Sequence, residues 1–265
     1  MDAPDEQPRW PAWYAGVAFL VGLVATFVAV GIVAAITGTS SGDQSPAFTI
    51  VATVLQSAAF AGSALLFASL TAPPQPWQFG LRRTRLWPAV GWAALGILTF
   101  FVLTAIYSAL LHPDTKQSVT RDLGADQGTT GLIAAGLMVM VVAPAAEEFF
   151  FRGFFYRALR TRYPVLLAAA IDGALFGVIH YDFSDASALL ILPPLAFLGF
   201  IFCLVYERTG SIFPTIALHA LNNSIAYAAT VHDGWLVSVA AGPLMIAACA
   251  MTPRFIRAGP RPVPA

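Results

Sequence analysis

Charged side chains are scarce in this chain. Asp, Glu, Lys and Arg make up 11% of its 265 residues, where a soluble domain carries about 25%. So few charges cannot hydrate a surface of this size, which excludes an ordinary water-soluble globule. Net charge is zero, without the basic excess that phosphate backbones demand, so no nucleic-acid partner is expected. Lysine is almost missing: of 14 basic residues only Lys116 is one, an arginine bias that suggests a GC-rich bacterial genome. Cysteine is rare too. Cys203 and Cys249 both fall inside apolar runs and read as small packing residues, with no disulfide. No small-residue cleavage site follows the acidic start at Asp2, Asp5 and Glu6, so the first apolar run reads as a retained span, not a signal peptide. Repeats, low-complexity stretches and any segment polar enough for a soluble domain are likewise absent.

What the chain has in abundance is apolar runs. Eight stand out, at about 13–36, 47–70, 87–111, 131–158, 165–181, 187–206, 211–230 and 235–252, and crossing a bilayer takes about 20 residues of helix. The expectation is an all-α polytopic membrane protein, one membrane domain over 1–265, with about eight transmembrane helices. Arginine placement gives the orientation. With the N-terminus inside, Arg9, Arg82, Arg83, Arg85, Arg152, Arg157, Arg160, Arg162, Arg208, Arg254, Arg257 and Arg261 lie on or near the cytoplasmic side. Only Lys116 and Arg121 lie outside. That bias predicts a multi-pass protein of the cell membrane with both ends cytoplasmic, in contact with lipid.

Ionisable groups deep in a membrane are costly and mark function. Here they cluster in the second half of the chain. The fourth run reads Pro144-Ala145-Ala146-Glu147-Glu148-Phe149-Phe150-Phe151-Arg152. Glu148 and Arg152 stand four apart, on one helical face, and can pair. Glu147 points about 100° away by helix geometry and lacks that partner. One paired and one unpaired carboxylate is how a site separates a structural acid from a working one; the plainer reading of the trio is a cytoplasmic helix end. The fifth run ends Phe176-Gly177-Val178-Ile179-His180, with Asp172 two turns earlier. His180 alone reads as a bonded interfacial residue, and Asp172 equally well as a polar group near a helix start. In the seventh run His219 and Asn223 share a face; helix–helix hydrogen bonding would explain them as well as a site does.

Together the three elements say more than each alone. A Glu-Glu-x-x-x-Arg helix, a Phe-x-x-x-His helix and a His-x-x-x-Asn helix follow in this order, and Tyr206-Glu207-Arg208-Thr209-Gly210-Ser211-Ile212-Phe213-Pro214 leads into the last. This pattern resembles the CAAX protease and bacteriocin-processing (CPBP) family of intramembrane proteases, which includes the type 2 CAAX prenyl protease, the Ras-converting enzyme. The resemblance covers roughly residues 131–230, a family-like catalytic core; the first three runs match only in being apolar.

The resemblance implies an intramembrane endopeptidase that hydrolyses a peptide bond of a membrane-associated or prenylated, CAAX-type protein or peptide. Glu147 would take a proton from water. His180 would hold that water, directly or through a metal. His219 and Asn223 would stabilise the oxyanion, and Glu148 and Arg152 would form the supporting ion pair. Glu147, His180 and His219 would also make an open zinc or other divalent-metal site, and the residues leave open whether a metal is bound. A polar cavity between the fourth, fifth and seventh spans is expected. Other protease chemistries lack their signatures: His-Glu-x-x-His, Gly-x-Ser-Gly and Gly-x-Gly-Asp are all absent. The rival expectation is a transporter or scaffold using the same groups as a proton relay or packing network, although the repeated halves typical of transporters are not visible. One conflict remains at this level. At about 1.5 Å per residue, His180 lies roughly 24 Å and His219 only about 12 Å from the inner ends of their runs. Either the span ends are misplaced, or the 207–214 segment dips into the membrane.

Overall fold

The computed structural model describes residues 8, 10–40, 45–112, 118–181 and 186–256; Arg9, Lys116, Arg257 and Arg261 lie outside them. Eight principal helices dominate the described chain, with short helical turns such as Pro76–Phe79 and Val119–Asp122 in the links: α1 (Trp13–Thr37), α2 (Pro46–Ser69), α3 (Leu86–Leu111), α4 (Gly128–Arg160), α5 (Val165–Val178), α6 (Leu192–Thr209), α7 (Phe213–Thr230) and α8 (Gly234–Met251). Their positions follow the apolar runs, and local chemistry sets their ends. Ser45 caps α2 through its hydroxyl, which accepts from Phe48 N–H, and Pro46 opens the helix where its missing N–H costs nothing. Gly38 and Gly210 end α1 and α6 in the left-handed region, at φ 69° and 64°.

By length and apolarity six of the described helices can cross a membrane, so the chain is a polytopic, all-helical membrane protein. The other two of the eight helices are shorter or more polar, so the count of eight spans rests on the apolar runs alone. The fifth run stops being helical at Val178, which leaves α5 with 14 residues, about 21 Å against a hydrocarbon layer of about 30 Å. α7 has 18 residues but carries His219, Asn222 and Asn223. The two helices that fall short are the two that bring histidines to the site. α1 faces outward, with Phe27, Leu20 and Ile36 largely exposed, as a lipid-facing surface should.

At the centre is α4, 33 residues long, or about 50 Å. Its Phe150, Phe151, Phe154 and Phe155 are buried in the core, in ring contact with Phe60 of α2, Phe176 of α5 and, ahead of α1, Trp10. The helix is not uniform. Two π-helical stretches, Met138–Val142 and Phe149–Phe155, flank a short α-helical piece, Ala143–Glu148. Pro144 supplies a reason for the first. Its ring would strike the carbonyl four residues back, and the wider π turn, in which Ala143 N–H reaches Met138 O, avoids that.

α5 and α6 pack backbone to backbone through a Gly-x-x-x-Gly spacing, Gly173 and Gly177. A Cβ at Gly173 would meet Phe200 N at 2.7 Å, and one at Gly199, facing it, would meet Phe176 Cβ at 2.9 Å. Backbone cannot swing aside as a side chain can. Gly173→Ala should therefore lose stability toward the upper end of the usual overpacking cost, about 1–3 kcal/mol. The check is a melting curve of the purified variant in detergent; an unchanged midpoint would contradict the close approach.

The turn between α6 and α7 resolves the depth conflict. Ser211, Ile212 and Thr215 are buried beneath the segment before α3. Ile212 N–H donates to Gly80 O at 3.0 Å and the Ser211 hydroxyl to Arg82 O at 2.8 Å. α7 thus begins inside the protein, not at its surface, and His219 is carried up to the level of the other site residues. The same end of the bundle is tied by Glu207, which accepts from both Nε and Nη2 of Arg160 (3.2 and 2.9 Å) and from Tyr156 OH (2.9 Å).

Candidate active site

Glu147 stands on the short α-helical piece of α4, its side chain about a quarter exposed. One of its oxygens, Oε2, is buried without a hydrogen-bond partner. Two imidazoles face that oxygen: Nε2 of His180, just past the end of α5, and Nε2 of His219 on α7, each at 3.9 Å. That is too long for a direct hydrogen bond. Both rings are held from behind. Nδ1 of His180 lies 2.7 Å from Phe176 O, and Nδ1 of His219 lies 3.0 Å from Glu148 Oε1. A carbonyl oxygen and a carboxylate only accept, so each Nδ1 donates and each Nε2 is turned to Glu147.

Behind this front lies a fully buried ionic cluster. Arg152 Nη1 donates to Glu148 Oε1 at 2.9 Å, the four-residue pairing expected of this helix. Its Nη2 donates to Gly199 O at 2.8 Å and lies 3.4 Å from Asp172 Oδ1. The guanidinium is sandwiched between Phe176 and Phe202, at 4.7 and 5.0 Å from their ring centres. Glu148 is therefore more than the partner of Arg152: one oxygen serves both the arginine and His219.

Asn223 lies one turn beyond His219. Its amide donates to Val139 O at 2.7 Å and its oxygen accepts from Asn222 at 3.2 Å; no bond from it to Glu147 or to either histidine is seen among the described residues. Val139 O has a particular need. In the π register its donor would be the N–H of residue 144, which is proline. Asn223 fills that gap and so ties α7 to α4 beside the site.

Two residues carry more than sequence reasoning gave them. Asp172 is completely buried and touches Arg152. Cys203, expected only to fill space, donates its thiol to Asp172 Oδ1 at 3.2 Å. The signal for Asp172 was its spacing: Asp172, Phe176 and His180 stand at four-residue intervals on one face of α5. Cys249 is a buried free thiol and packs in the core, as expected.

An open zinc site needs three protein ligands, with nitrogen or carboxylate oxygen at about 2.0–2.2 Å from the metal. Among the described residues no three His, Cys, Asp or Glu side chains gather as such a set. As arranged, Glu147, His180 and His219 do not close into a metal site. The polar meeting point of α4, α5 and α7 is distinct from an apolar cavity of about 240 Å³, whose lining, Ala145, Phe149, Ile216 and Met245 among others, includes none of Glu147, His180, His219 or Asn223.

Comparison with known proteins picks out the same segment. Residues 129–225 match the model of the family described as type II CAAX prenyl endopeptidase Rce1-like. Two Bacillus subtilis (strain 168) proteins are similar. "Uncharacterized protein YyaK" is 28% identical over 52% of this chain and 46% of its own length. "Putative membrane peptidase YdiL" is 32% identical over 34% of this chain and 36% of its own. The chain thus spans less than half the length of either relative. No solved structure matches significantly. The matched segment carries Glu147, Glu148, Arg152, His180, His219 and Asn223, and in it the chain is similar to the type II CAAX prenyl endopeptidase Rce1-like family.

Proposed function

We propose that the protein is an intramembrane endopeptidase in which Glu147 activates a water molecule for attack on a peptide bond. The observation that carries this reading is the buried, unpartnered Glu147 Oε2 with an imidazole Nε2 at 3.9 Å on either side. Gaps of that length suit a bound molecule that touches all three groups. Water held there gives a proton to Glu147 as its oxygen bonds to the scissile carbonyl carbon. The oxyanion is met by polar groups of α7, for which His219 must carry a proton on Nε2 as well as on Nδ1, with the Asn223 amide one turn away. As the C–N bond breaks, Glu147 returns the proton to the leaving amine, and the products are a carboxylic acid and an amine. The Glu148–Arg152 pair fixes His219. No step is routed through a metal. The substrate class follows the family: a membrane-associated protein or peptide, with a prenylated cysteine near its C-terminus as the first candidate.

The test is hydrolysis by the purified full chain in detergent of fluorogenic peptides with and without an S-farnesyl cysteine. Cleavage at a single bond, retained after treatment with EDTA, is the expected result. No cleavage of either peptide, together with proton-coupled uptake in proteoliposomes, would favour a transporter.

We further propose that the Arg82–Arg85 loop faces the cytoplasm, from the arginine distribution. Arg85 and Arg121 are both exposed. In intact cells Arg85→Cys should resist an impermeant maleimide and Arg121→Cys should react. Labelling of both from outside would reverse the orientation.

A further inference from the structure

The buried cluster holds one guanidinium and two carboxylates, Glu148 and Asp172, all fully buried. Arg152 needs only one of them for charge balance. A second buried carboxylate inside a membrane protein is expensive, and a fold built for stability alone would omit it. Its contacts show what it adds. Arg152 Nη2 is drawn toward Gly199 O and Asp172 Oδ1, while only Nη1 reaches Glu148. A guanidinium beside a lone carboxylate tends to take both its oxygens in a two-pronged pair. That grip would pull Glu148 Oε1 away from His219 Nδ1. Glu148 Oε2 is buried without a hydrogen-bond partner and is the oxygen the arginine would claim. Asp172 also sits one turn before Phe176, whose ring covers the guanidinium and whose carbonyl holds His180.

Resting on the endopeptidase reading, we infer that Asp172 is a positioning residue: by sharing the Arg152 guanidinium it keeps Glu148 on His219, and through α5 it sets His180, so that both imidazoles face Glu147. It touches neither water nor substrate. The Cys203 thiol, donating to the same oxygen, holds the carboxylate in place.

The test uses Asp172→Asn in the full chain. Arg152 keeps Glu148 as counter-charge, so the variant leaves no charge unpaired and should fold, with its melting midpoint no lower than that of the parent. With the farnesylated fluorogenic peptide, kcat should fall about 10–100-fold, the usual cost of losing a partner that orients a site residue, while KM changes less than about twofold. Asp172→Glu, which restores the carboxylate, should recover most of the rate. A second arm does not depend on catalysis. With 15N-labelled histidine, the Nδ1 resonance of His219, assigned by its loss in His219→Gln, should shift in Asp172→Asn and stay near its parental position in Asp172→Glu. A shifted resonance in a protein that cleaves neither peptide would support the positioning role and sink the endopeptidase reading. Unchanged kcat and an unchanged resonance would overturn the positioning role, as would a fall in kcat matched by a fall in melting midpoint with no shift.

Discussion

Glu147→Gln should leave a folded protein that hydrolyses its peptide at least about a hundredfold more slowly, the scale set by a positioned acid–base group. The substitution keeps shape and volume and removes basicity. Stability should hardly change, because Glu147 makes no ion pair shorter than 3.9 Å and its Oε2 has no hydrogen bond to lose. The bonds of the Arg152 cluster to Glu148, Asp172 and Gly199 do not involve Glu147 and are kept. Rates and melting midpoints measured on the same preparation provide the check. A Glu147→Gln enzyme that still turned over, beside a folded and inactive Glu148→Gln enzyme, would exchange the roles of the two glutamates.

Arg152→Gln should do the opposite: it should cost the fold first and activity as a consequence. Removing one member of a buried pair leaves an uncompensated charge, at about 3–5 kcal/mol, and here two carboxylates, Glu148 and Asp172, would be stranded. Total stability of a domain is only about 5–15 kcal/mol. The yield of monodisperse protein after solubilisation should fall sharply. Glu148→Gln is milder for the fold, since Arg152 still faces Asp172, but it takes the carboxylate from His219 Nδ1 and should be nearly as damaging to the rate. A stable, well-expressed Arg152→Gln protein would mean that the cluster is hydrated and not the dry core its burial describes.

These two expectations differ because neighbouring carboxylates face different surroundings, and that much could be read in the sequence. Glu148 and Arg152 are four apart on one helix, and local spacing is enough to pair them. Apolar runs located all eight helices for a similar reason: a lipid-facing stretch must be continuous along the chain. What local pattern could not reach is contact across helices. That Glu148 also binds His219, 71 positions away, or that Asp172 and Cys203 meet on α5 and α6, depends on how closely Gly173 and Gly199 let those helices approach. The far end of the fifth run was misjudged because Ile179-His180-Tyr181 is apolar enough to pass for helix, while the chain turns there. The depth of His219 was misjudged because a buried turn, Gly210–Ile212, looks in sequence like a surface one. Asn223 is placed by a vacancy in the α4 backbone that only the combination of Pro144 and a π turn creates.

The shortness of α5 has a consequence for the solvent. Hydrolysis consumes water, and hydrocarbon holds almost none. A helix of 14 residues covers about 21 Å, which leaves roughly a third of the bilayer's apolar depth unmatched on that flank. Lipid meets such a mismatch by thinning, and thinning lowers the polar headgroups and their hydration toward the end of the helix. His180 sits at that end, and both it and Glu147 keep about a quarter of their side-chain surface open. A dimple of that kind at α5 would make this flank the wet side of the protein, and the thickness of the surrounding bilayer would then control how readily the second reactant arrives.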